Sequence, residues 1–238
     1  MTCRSPAHGT TTPAGLWSEH LTKPARGLYL GREKLKSDAR RRIIVGISGA
    51  SAPHYGVRVL EVLAGMPEVE THLILSSGAR ATIEYEMRRD PEEVTRLADV
   101  VHDERAKGDS IASGTFVTEG MVIAPCSIKT LSSVANSHND TLMGRAADVC
   151  LKERRRLVLV VRETPLHAGH LRLMLQATEA GAVVLPPVPA LYHRPATVGE
   201  LIDHTVLKVL DLFGLHTDLI RRWTGIPEEL RSTSTGGA

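Results

Sequence analysis

The segment "RRIIVGISGASAPHYGVRVL", residues 41–60, contains the change of pattern that decides the fold. Residues 43–47 form an apolar run of the strand type, and residues 55–64 place apolar side chains at helical spacing. Gly, Ser and Ala fill the loop between them. This loop lacks the spacing of a dinucleotide fingerprint and the lysine of a P-loop. It is therefore either a plain tight turn or a cradle in which backbone N–H groups hold a phosphate at a helix N-terminus.

The same strand-to-helix alternation recurs along the chain. Further apolar runs occupy residues 71–75, 121–124, 157–161 and 182–185. They do not alternate between apolar and polar positions, which is typical of strands covered on both faces of a parallel sheet. Helical patterns occupy residues 79–86, 91–101, 129–136, 142–153, 167–180 and 197–213. The sequence thus predicts an α/β fold with a three-layer, doubly wound parallel sheet.

The two ends of the chain differ in composition from the rest. Residues 1–40 mix Pro, Thr, Gly and charged residues without a sustained period, so we expect an irregular N-terminal extension. Residues 227–238 have the composition of a flexible tail. Residues 41–226 are long enough for one α/β domain with a full core.

Composition excludes several classes of function. The net charge of +2 gives no reason to expect nucleic acid or an acidic membrane as partner. No apolar run approaches the ~20 residues that span a bilayer, and the N-terminus lacks the apolar middle of a signal peptide. The three cysteines are spaced neither as a disulfide set nor as a metal site. We therefore expect a reducing, cytoplasmic location.

A second small polar loop follows the run at 121–124, with the sequence "PCSIKT" at residues 125–130. Ser127 and Thr130 would donate to a phosphate at the start of the next helix, or Ser127 would simply cap that helix. Strand ends of a parallel sheet meet at one edge, so two such loops favour a phosphorylated ligand. Cys126 has no evident base beside it, and we expect it to be buried packing.

Charged residues lie close to the later strands. Arg145 and Lys152 are seven residues apart on one helical face, where they either bind anions or face solvent. Arg162 and Glu163 follow the run at 157–161 and are well placed for catalysis. Tyr192 lies in the proline-rich loop after residues 182–185, where by itself it indicates only an amphipathic contact.

Taken together, these stretches resemble the UbiX-type flavin prenyltransferase family, in particular its phenolic acid decarboxylase branch. The resemblance is carried by "GISGASAPHYGVRVL", "ILSSGARATIEYE", "APCSIKTLSSVA", "GRAADVCLKERRRLVLVVRETPL" and "LPPVPALYHRPATVGELIDHTVLKVLDLFGL", in family order over residues 42–225. It implies a flavodoxin-like or Rossmann-like fold that binds FMN. It also implies dimethylallyl transfer from dimethylallyl monophosphate to N5 and C6 of reduced FMN, without a metal.

The family further implies partners and site residues. The prenylated FMN would serve a UbiD-type decarboxylase, and the enzyme would be a homo-oligomer, typically a dodecamer, with sites at subunit interfaces. The positions that match FMN contacts are Gly49, Ala50, Ser51, Ser76, Ser127, Thr130 and Arg145. Those that match the prenyl-phosphate site are Glu86, Lys152 and Glu163 as catalytic groups, with Tyr192, Lys208 and Trp223 as substrate contacts.

The chain departs from the family pattern at four positions. Ala52 replaces a glycine, a modest change if its φ is negative. Lys208 replaces a phosphate-binding arginine and so loses the bidentate fork. His167 and Arg172 replace a serine and a glutamate, which bears on the contacts of the prenyl donor.

Two other functions compete with prenyl transfer. One is an FMN-dependent decarboxylase of the cysteine type, which shares the fold but uses an Asn-containing motif that this chain lacks. The other is a non-catalytic flavin carrier within an aromatic acid decarboxylase complex. Lys208 keeps the carrier hypothesis open.

Overall fold

A computed structural model describes residues 40–226. The predicted extension, apart from Arg40, and the predicted tail at 227–238 lie outside the described residues. The described part folds around a six-stranded sheet in the order β3-β2-β1-β4-β5-β6, and every neighbouring pair is parallel. The strands are β1 Arg41–Ile47, β2 Val69–Leu75, β3 Val100–His102, β4 Gly120–Cys126, β5 Arg156–Val161 and β6 Val183–Val184.

Helices cover both faces of the sheet. They are α1 His54–Ala64, α2 Ser77–Thr82, α3 Pro91–Thr95, α4 Ile128–Ala135, α5 Leu142–Lys152, α6 Ala168–Glu179 and α7 Val198–Leu212. A π-helical turn, Ile83–Met87, continues α2, and a short 3₁₀ helix spans Ser110–Ala112. Side chains of α1 and α7 build the core on one face, and those of α4 and α5 build it on the other. The predicted three-layer doubly wound fold is confirmed.

One predicted helix is wrong. The sequence pattern predicts a helix over the whole of residues 91–101, but α3 ends at Thr95 and residues 100–102 form β3. Asp99 explains the break, because its carboxylate accepts hydrogen bonds from the backbone N–H (2.8 Å) and the hydroxyl (2.9 Å) of Thr71 on β2. These contacts align the following residues with β2, and tertiary pairing thus overrides the local helical pattern.

The strand order reverses between β1 and β4. In doubly wound sheets, ligands bind at such a switch point, beyond the carboxyl ends of the strands. The two small polar loops of the sequence, residues 46–51 and 125–127, overlap the carboxyl ends of these two strands. The fold therefore brings them together at one edge of the sheet.

Candidate active site

A cavity of about 290 Å³ opens at the switch point. Its lining residues are Gly49, Ser76, Ser77, Gly78, Glu104, Ser127, Lys129, Thr130, Ser133, Asp140, Thr141, Met143 and Gly144. They come from the carboxyl-terminal edge of the sheet and from the N-terminal turns of α2, α4 and α5. The cavity thus contains four of the seven predicted FMN contacts, namely Gly49, Ser76, Ser127 and Thr130.

Ser48 joins the two loops that the sequence predicted to cooperate. Its hydroxyl donates to the carbonyl oxygen of Pro125 at 2.9 Å and accepts from the backbone N–H of Ser127 at 2.8 Å. Ser48 is 1% exposed, so these bonds are shielded from water. The hydroxyl therefore fixes the loop after β1 to the loop after β4. Sequence reasoning did not assign this role, although Ser48 lies inside the quoted segment.

Two well-formed helices point their N-termini at the cavity. Ser127 caps α4 by accepting from the N–H of Thr130 at 3.3 Å, and Thr141 caps α5 by accepting from the N–H of Gly144 at 3.1 Å. The predicted capping role of Ser127 is therefore observed. The remaining first-turn N–H groups and the two helix dipoles favour an anion in the space between them.

The close approach of the loops requires glycine at two positions. A Cβ atom on Gly49 would lie 2.9 Å from Cα of Gly78, and one on Gly78 would lie 3.0 Å from Cα of Gly49. Both distances are at or below the closest approach of a Cβ atom to backbone, so a side chain at either position would push the two segments apart. The two glycines thus let the loop after β1 and the start of α2 form one wall of the cavity.

Two carboxylates in the cavity were not predicted. Glu104 follows β3 and accepts from the N–H of Ser77 at 3.1 Å, and Asp140 precedes α5. Because the sequence pattern predicts helix over residues 91–101, nothing in the sequence places Glu104 at a strand end. Recognition of β3 would have located it at this edge of the sheet.

Ala50 and Ser51 complete the loop after β1 without lining the cavity. Ala52 has a φ of +65°, so the condition under which alanine in place of glycine would be a modest change is not met. Its N–H donates to Oε2 of Glu86 at 2.7 Å. Glu86, one of the predicted catalytic residues, thus holds the loop from the π-helical turn.

Arg145 extends from the first turns of α5. Its Nε donates to the carbonyl oxygen of Ala112 at 3.2 Å, and its Nη1 donates to Asp148 at 2.9 Å. Arg145 does not line the cavity, but it immediately follows Gly144, which does. Its guanidinium is held in place by the 3₁₀ helix and by its own helix.

The predicted substrate contacts form a second group. The rings of Tyr192 and Trp223 meet edge to face, with centroids 5.7 Å apart, and both line a cavity of about 340 Å³. Three arginines, Arg194, Arg221 and Arg222, line the same cavity. The Tyr192 ring also contacts His204 at 5.8 Å between centroids. Lys208 follows His204 by one turn on α7, and its positive charge acts on the His204 ring.

Charge and burial act together on His204. Burial and the nearby positive charges of His193 and Lys208 lower its pKa. Neutral His204 adds no positive charge of its own, which leaves the cationic character of this group to Lys208 and the arginines.

Lys152 and Glu163 lie at opposite ends of β5. Lys152 ends α5, four residues before the strand, where its ammonium pairs with Glu153. Glu163 follows the strand by two residues, is exposed, and accepts from the N–H of Thr164 at 3.0 Å. A six-residue strand spans about 20 Å. A single protomer therefore does not bring these two predicted catalytic groups together.

His167 caps a helix at the position where the family pattern has a serine. It is the N-cap of α6, and its Nδ1 accepts from the N–H of Gly169 at 3.0 Å. Its ring also packs on that of His170, with centroids 3.7 Å apart. His167 thus has a structural role at the start of α6, while Arg172 is exposed on the same helix.

A doubly wound sheet with a switch-point cavity between helix N-termini defines a class of α/β proteins that bind phosphorylated cofactors. The Flavoprotein family model matches residues 31–204. Flavin prenyltransferase UbiX of Thauera aromatica is 59% identical over 187 residues, which cover 79% of this chain and 96% of the relative. The Escherichia coli K12 flavin prenyltransferase UbiX is 58% identical over 187 residues, 78% of this chain and 99% of the relative. The chain belongs to the UbiX flavin prenyltransferase family of flavoproteins.

Solved structures agree with this assignment. The crystal structure of AnUbiX in complex with FMN and dimethylallyl pyrophosphate superposes with a TM-score of 0.77 at 48% identity, covering 79% of this chain and all of that one. A dodecameric FMN-dependent UbiX-like decarboxylase from Escherichia coli O157:H7 gives 0.76 at 46% identity, covering 77% and 100%. The FMN-dependent cysteine decarboxylase TvaF shares only the fold, with a TM-score of 0.52 at 14% identity over 63% of this chain and 91% of that one.

Proposed function

We propose that this protein is a flavin prenyltransferase, which transfers a dimethylallyl group from dimethylallyl monophosphate to N5 and C6 of reduced FMN. Its prenylated FMN would then serve a UbiD-type decarboxylase. The observation that carries the proposal is the switch-point cavity, in which the N-termini of α4 and α5 meet the glycine loop after β1. Buried, free Cys126 and Cys150 agree with a reducing compartment, and we place the protein in the cytoplasm.

The residues of the cavity fit FMN. The hydroxyls of Ser76, Ser127 and Thr130 and the first-turn N–H groups are donors for its phosphate. Glu104 and Asp140 are acceptors, which suit the hydroxyl groups of the ribityl chain. Arg145, beside the first turn of α5, adds a positive charge. Reduced FMN, when bound, supplies the nucleophilic ring atoms to which the prenyl group is joined.

The second group of residues suits an allylic phosphate. Breaking the allylic C–O bond leaves negative charge on the departing phosphate, and Lys152, Lys208 and the Tyr192 hydroxyl can stabilise it. Glu163 or Glu86 would move a proton between phosphate and flavin. In this structure Oε2 of Glu86 accepts from the N–H of Ala52, so the proposal assigns the proton transfer to Oε1. No metal is required in this scheme, because the cationic side chains neutralise the phosphate.

The proposal includes a homo-oligomer, of which a dodecamer is the form expected from the family. Lys152 and Glu163 are separated by the length of β5 in one protomer, so a site that uses both needs Lys152 from another copy. The solved UbiX-like relative that is dodecameric supports this arrangement. Among the described residues, no helix is long and apolar enough to cross a membrane.

Prenyl transfer can be tested directly. Purified protein is incubated anaerobically with reduced FMN and dimethylallyl monophosphate, and in parallel with the pyrophosphate, and the flavin is analysed by mass spectrometry. We expect the mass of one added prenyl group with the monophosphate. Lys152→Ala and Glu163→Ala should abolish transfer but retain FMN, because neither residue lines the flavin cavity. Unmodified flavin, under conditions in which a related enzyme works, would contradict the proposal and favour the carrier hypothesis.

A further inference from the structure

A continuous hydrogen-bonded network of four ionisable residues lies on the β2–β3 side of the sheet, outside the cavity. Glu70 Oε1 is 3.0 Å from Nε2 of His72, and Nδ1 of His72 is 2.9 Å from Nε2 of His102. Nδ1 of His102 is 2.8 Å from Oδ2 of Asp109. His72 is 3% exposed and His102 is 6% exposed, so the contact between the two rings is shielded from water, while Glu70 and Asp109 at the two ends are partly exposed.

Counting hydrogen atoms shows how many ring N–H groups the three contacts of this network require. An ionised carboxylate only accepts, so each ring nitrogen that faces Glu70 or Asp109 must carry a proton. One of the two nitrogens between the rings must also carry a proton to make the contact between His72 and His102. Three N–H groups on two imidazoles amount to one neutral ring and one imidazolium. The geometry is therefore satisfied when the histidine pair holds one extra proton.

The surroundings disfavour the extra proton on His72. Burial is the largest effect on His72 and lowers its pKa, although the hydrogen bond to Glu70 opposes this. His72 is thus the neutral ring, and it accepts from His102. Two other charged groups near the network, Arg42 and Arg40, pair with Glu70 at 3.0 and 3.4 Å. A surface cavity beside His102 is lined by four more, Arg80, Asp103, Glu104 and Arg105.

The network is connected to the proposed flavin site through the 3₁₀ helix. Oδ1 of Asp109 accepts from the N–H and hydroxyl groups of Ser110, so Asp109 caps this helix. At its other end, the carbonyl oxygen of Ala112 accepts from Nε of Arg145. The buried side chain of Ile111 anchors the turn between them. Asp109 therefore contacts the histidine pair on one side and fixes the acceptor of Arg145 on the other.

We propose that Glu70, His72, His102 and Asp109 form a proton-dependent positioning element, which holds the 3₁₀ helix and through it orients Arg145 for FMN. The inference rests on the proposed function, in which Arg145 contacts FMN. When the pair loses its extra proton, only two ring N–H groups remain for three contacts, so one contact of the network is broken and its hold on the 3₁₀ helix is weakened. FMN affinity therefore falls as the pair deprotonates with rising pH.

The protonation state can be read without any flavin. In ¹⁵N-histidine-labelled protein, we expect the His72–His102 pair to give one imidazolium signal and one neutral signal at neutral pH, with His102→Asn and His72→Gln used for assignment. In Asp109→Asn the side-chain amide can donate to Nδ1 of a neutral His102, so the imidazolium signal should disappear. Two neutral rings in the folded wild-type protein would overturn the shared proton.

The positioning role is tested by FMN affinity, followed by the change in flavin fluorescence. Asp109→Ala should weaken binding about fivefold, within the range of effects transmitted through packed networks. In an Arg145→Met background the same change should have no further effect, because its target is gone. Asp109→Asn should bind as wild type but without the loss of affinity at rising pH. Asp103→Ala, which removes a nearby carboxylate that does not belong to the network, is the matched control.

The outcomes separate this inference from the proposed function. Additive losses in Asp109→Ala and Arg145→Met, or a pH dependence that persists in Asp109→Asn, would overturn the positioning role even if prenyl transfer is intact. A wild-type protein that binds no FMN would overturn the proposed function and with it the link to Arg145. The ring signals would still decide where the proton lies.

Discussion

Ala52 stands where the family pattern has a glycine, and Glu86 contacts its backbone in the loop after β1. A left-handed backbone costs an L-residue with a side chain roughly 1–2 kcal/mol, and Ala52 adopts it at φ +65°. The hydrogen bond from its N–H to Glu86 helps to hold this conformation. The same carboxylate thus has a structural role in the loop and a proposed role at the reacting phosphate.

Replacement of Ala52 by glycine tests the strain. We expect Ala52→Gly to raise the free energy of unfolding by about 0.5 kcal/mol, because relief of the left-handed strain exceeds the added entropy of glycine in the unfolded chain. Urea denaturation with an unchanged m-value measures this. Ala50→Gly is the matched control in the same loop. Ala50 is buried and lacks a positive φ, so its replacement should lower stability by about 1 kcal/mol. A loss in both variants would contradict the argument.

At the scale of elements, α6 is unlike the other long helices. Ala177 is its one buried residue, whereas Leu171 and Leu175 are 54% and 59% exposed. Because these leucines are four residues apart, they form one apolar stripe on the outer face. A helix that packs on a sheet normally buries such a stripe. The proposed homo-oligomer provides a surface to cover it.

A charge in this stripe should weaken assembly. We expect Leu171→Asp/Leu175→Asp to shift the protein to smaller species, since each leucine contributes about 1–2 kcal/mol when it is buried. Light scattering after size-exclusion chromatography measures the mass. Gln176→Asp adds a charge to an exposed neighbour on a different face and should assemble normally. An unchanged mass for the double variant would show that α6 lies outside the interfaces.

At the scale of the whole molecule, the proposed catalytic groups are divided between the two edges of the sheet. Lys152 precedes β5 and Glu163 follows it, so neither can reach the other within one copy. An assembly that places the amino-terminal edge of one protomer against the carboxyl-terminal edge of another would complete the site. Activity would then belong to the oligomer and not to the chain alone.

Mixed oligomers test this division. Lys152→Ala and Glu163→Ala should each be inactive, but co-expressed subunits with two different tags, purified over both, should regain activity. With random mixing, about one site in four receives both native residues. Prenylated flavin, quantified by mass spectrometry, measures the recovery. Mixed oligomers as inactive as the separate variants would mean that Lys152 and Glu163 do not act at one shared site.

Local patterns in the sequence were enough to predict five of the six strands, the parallel sheet and the two polar loops that meet at the switch point. This worked because buried parallel strands are continuous apolar runs, and because a small polar loop such as residues 46–51 indicates a strand-to-helix turn wherever it lies. The family was equally visible, since its motifs are contiguous stretches of sequence.

Tertiary structure alone decided the remaining features. β3 exists because Asp99 binds Thr71 of a neighbouring strand, and Glu104 reaches the cavity as a consequence. The sign of φ at Ala52 and the histidine pair depend on partners about 30 or more residues away in sequence. Lys152 and Glu163, only eleven positions apart, are separated by the length of a strand. Contacts between residues far apart in sequence leave no periodic pattern, and neither does the end of a strand at which a residue lies. Only the folded structure determines both.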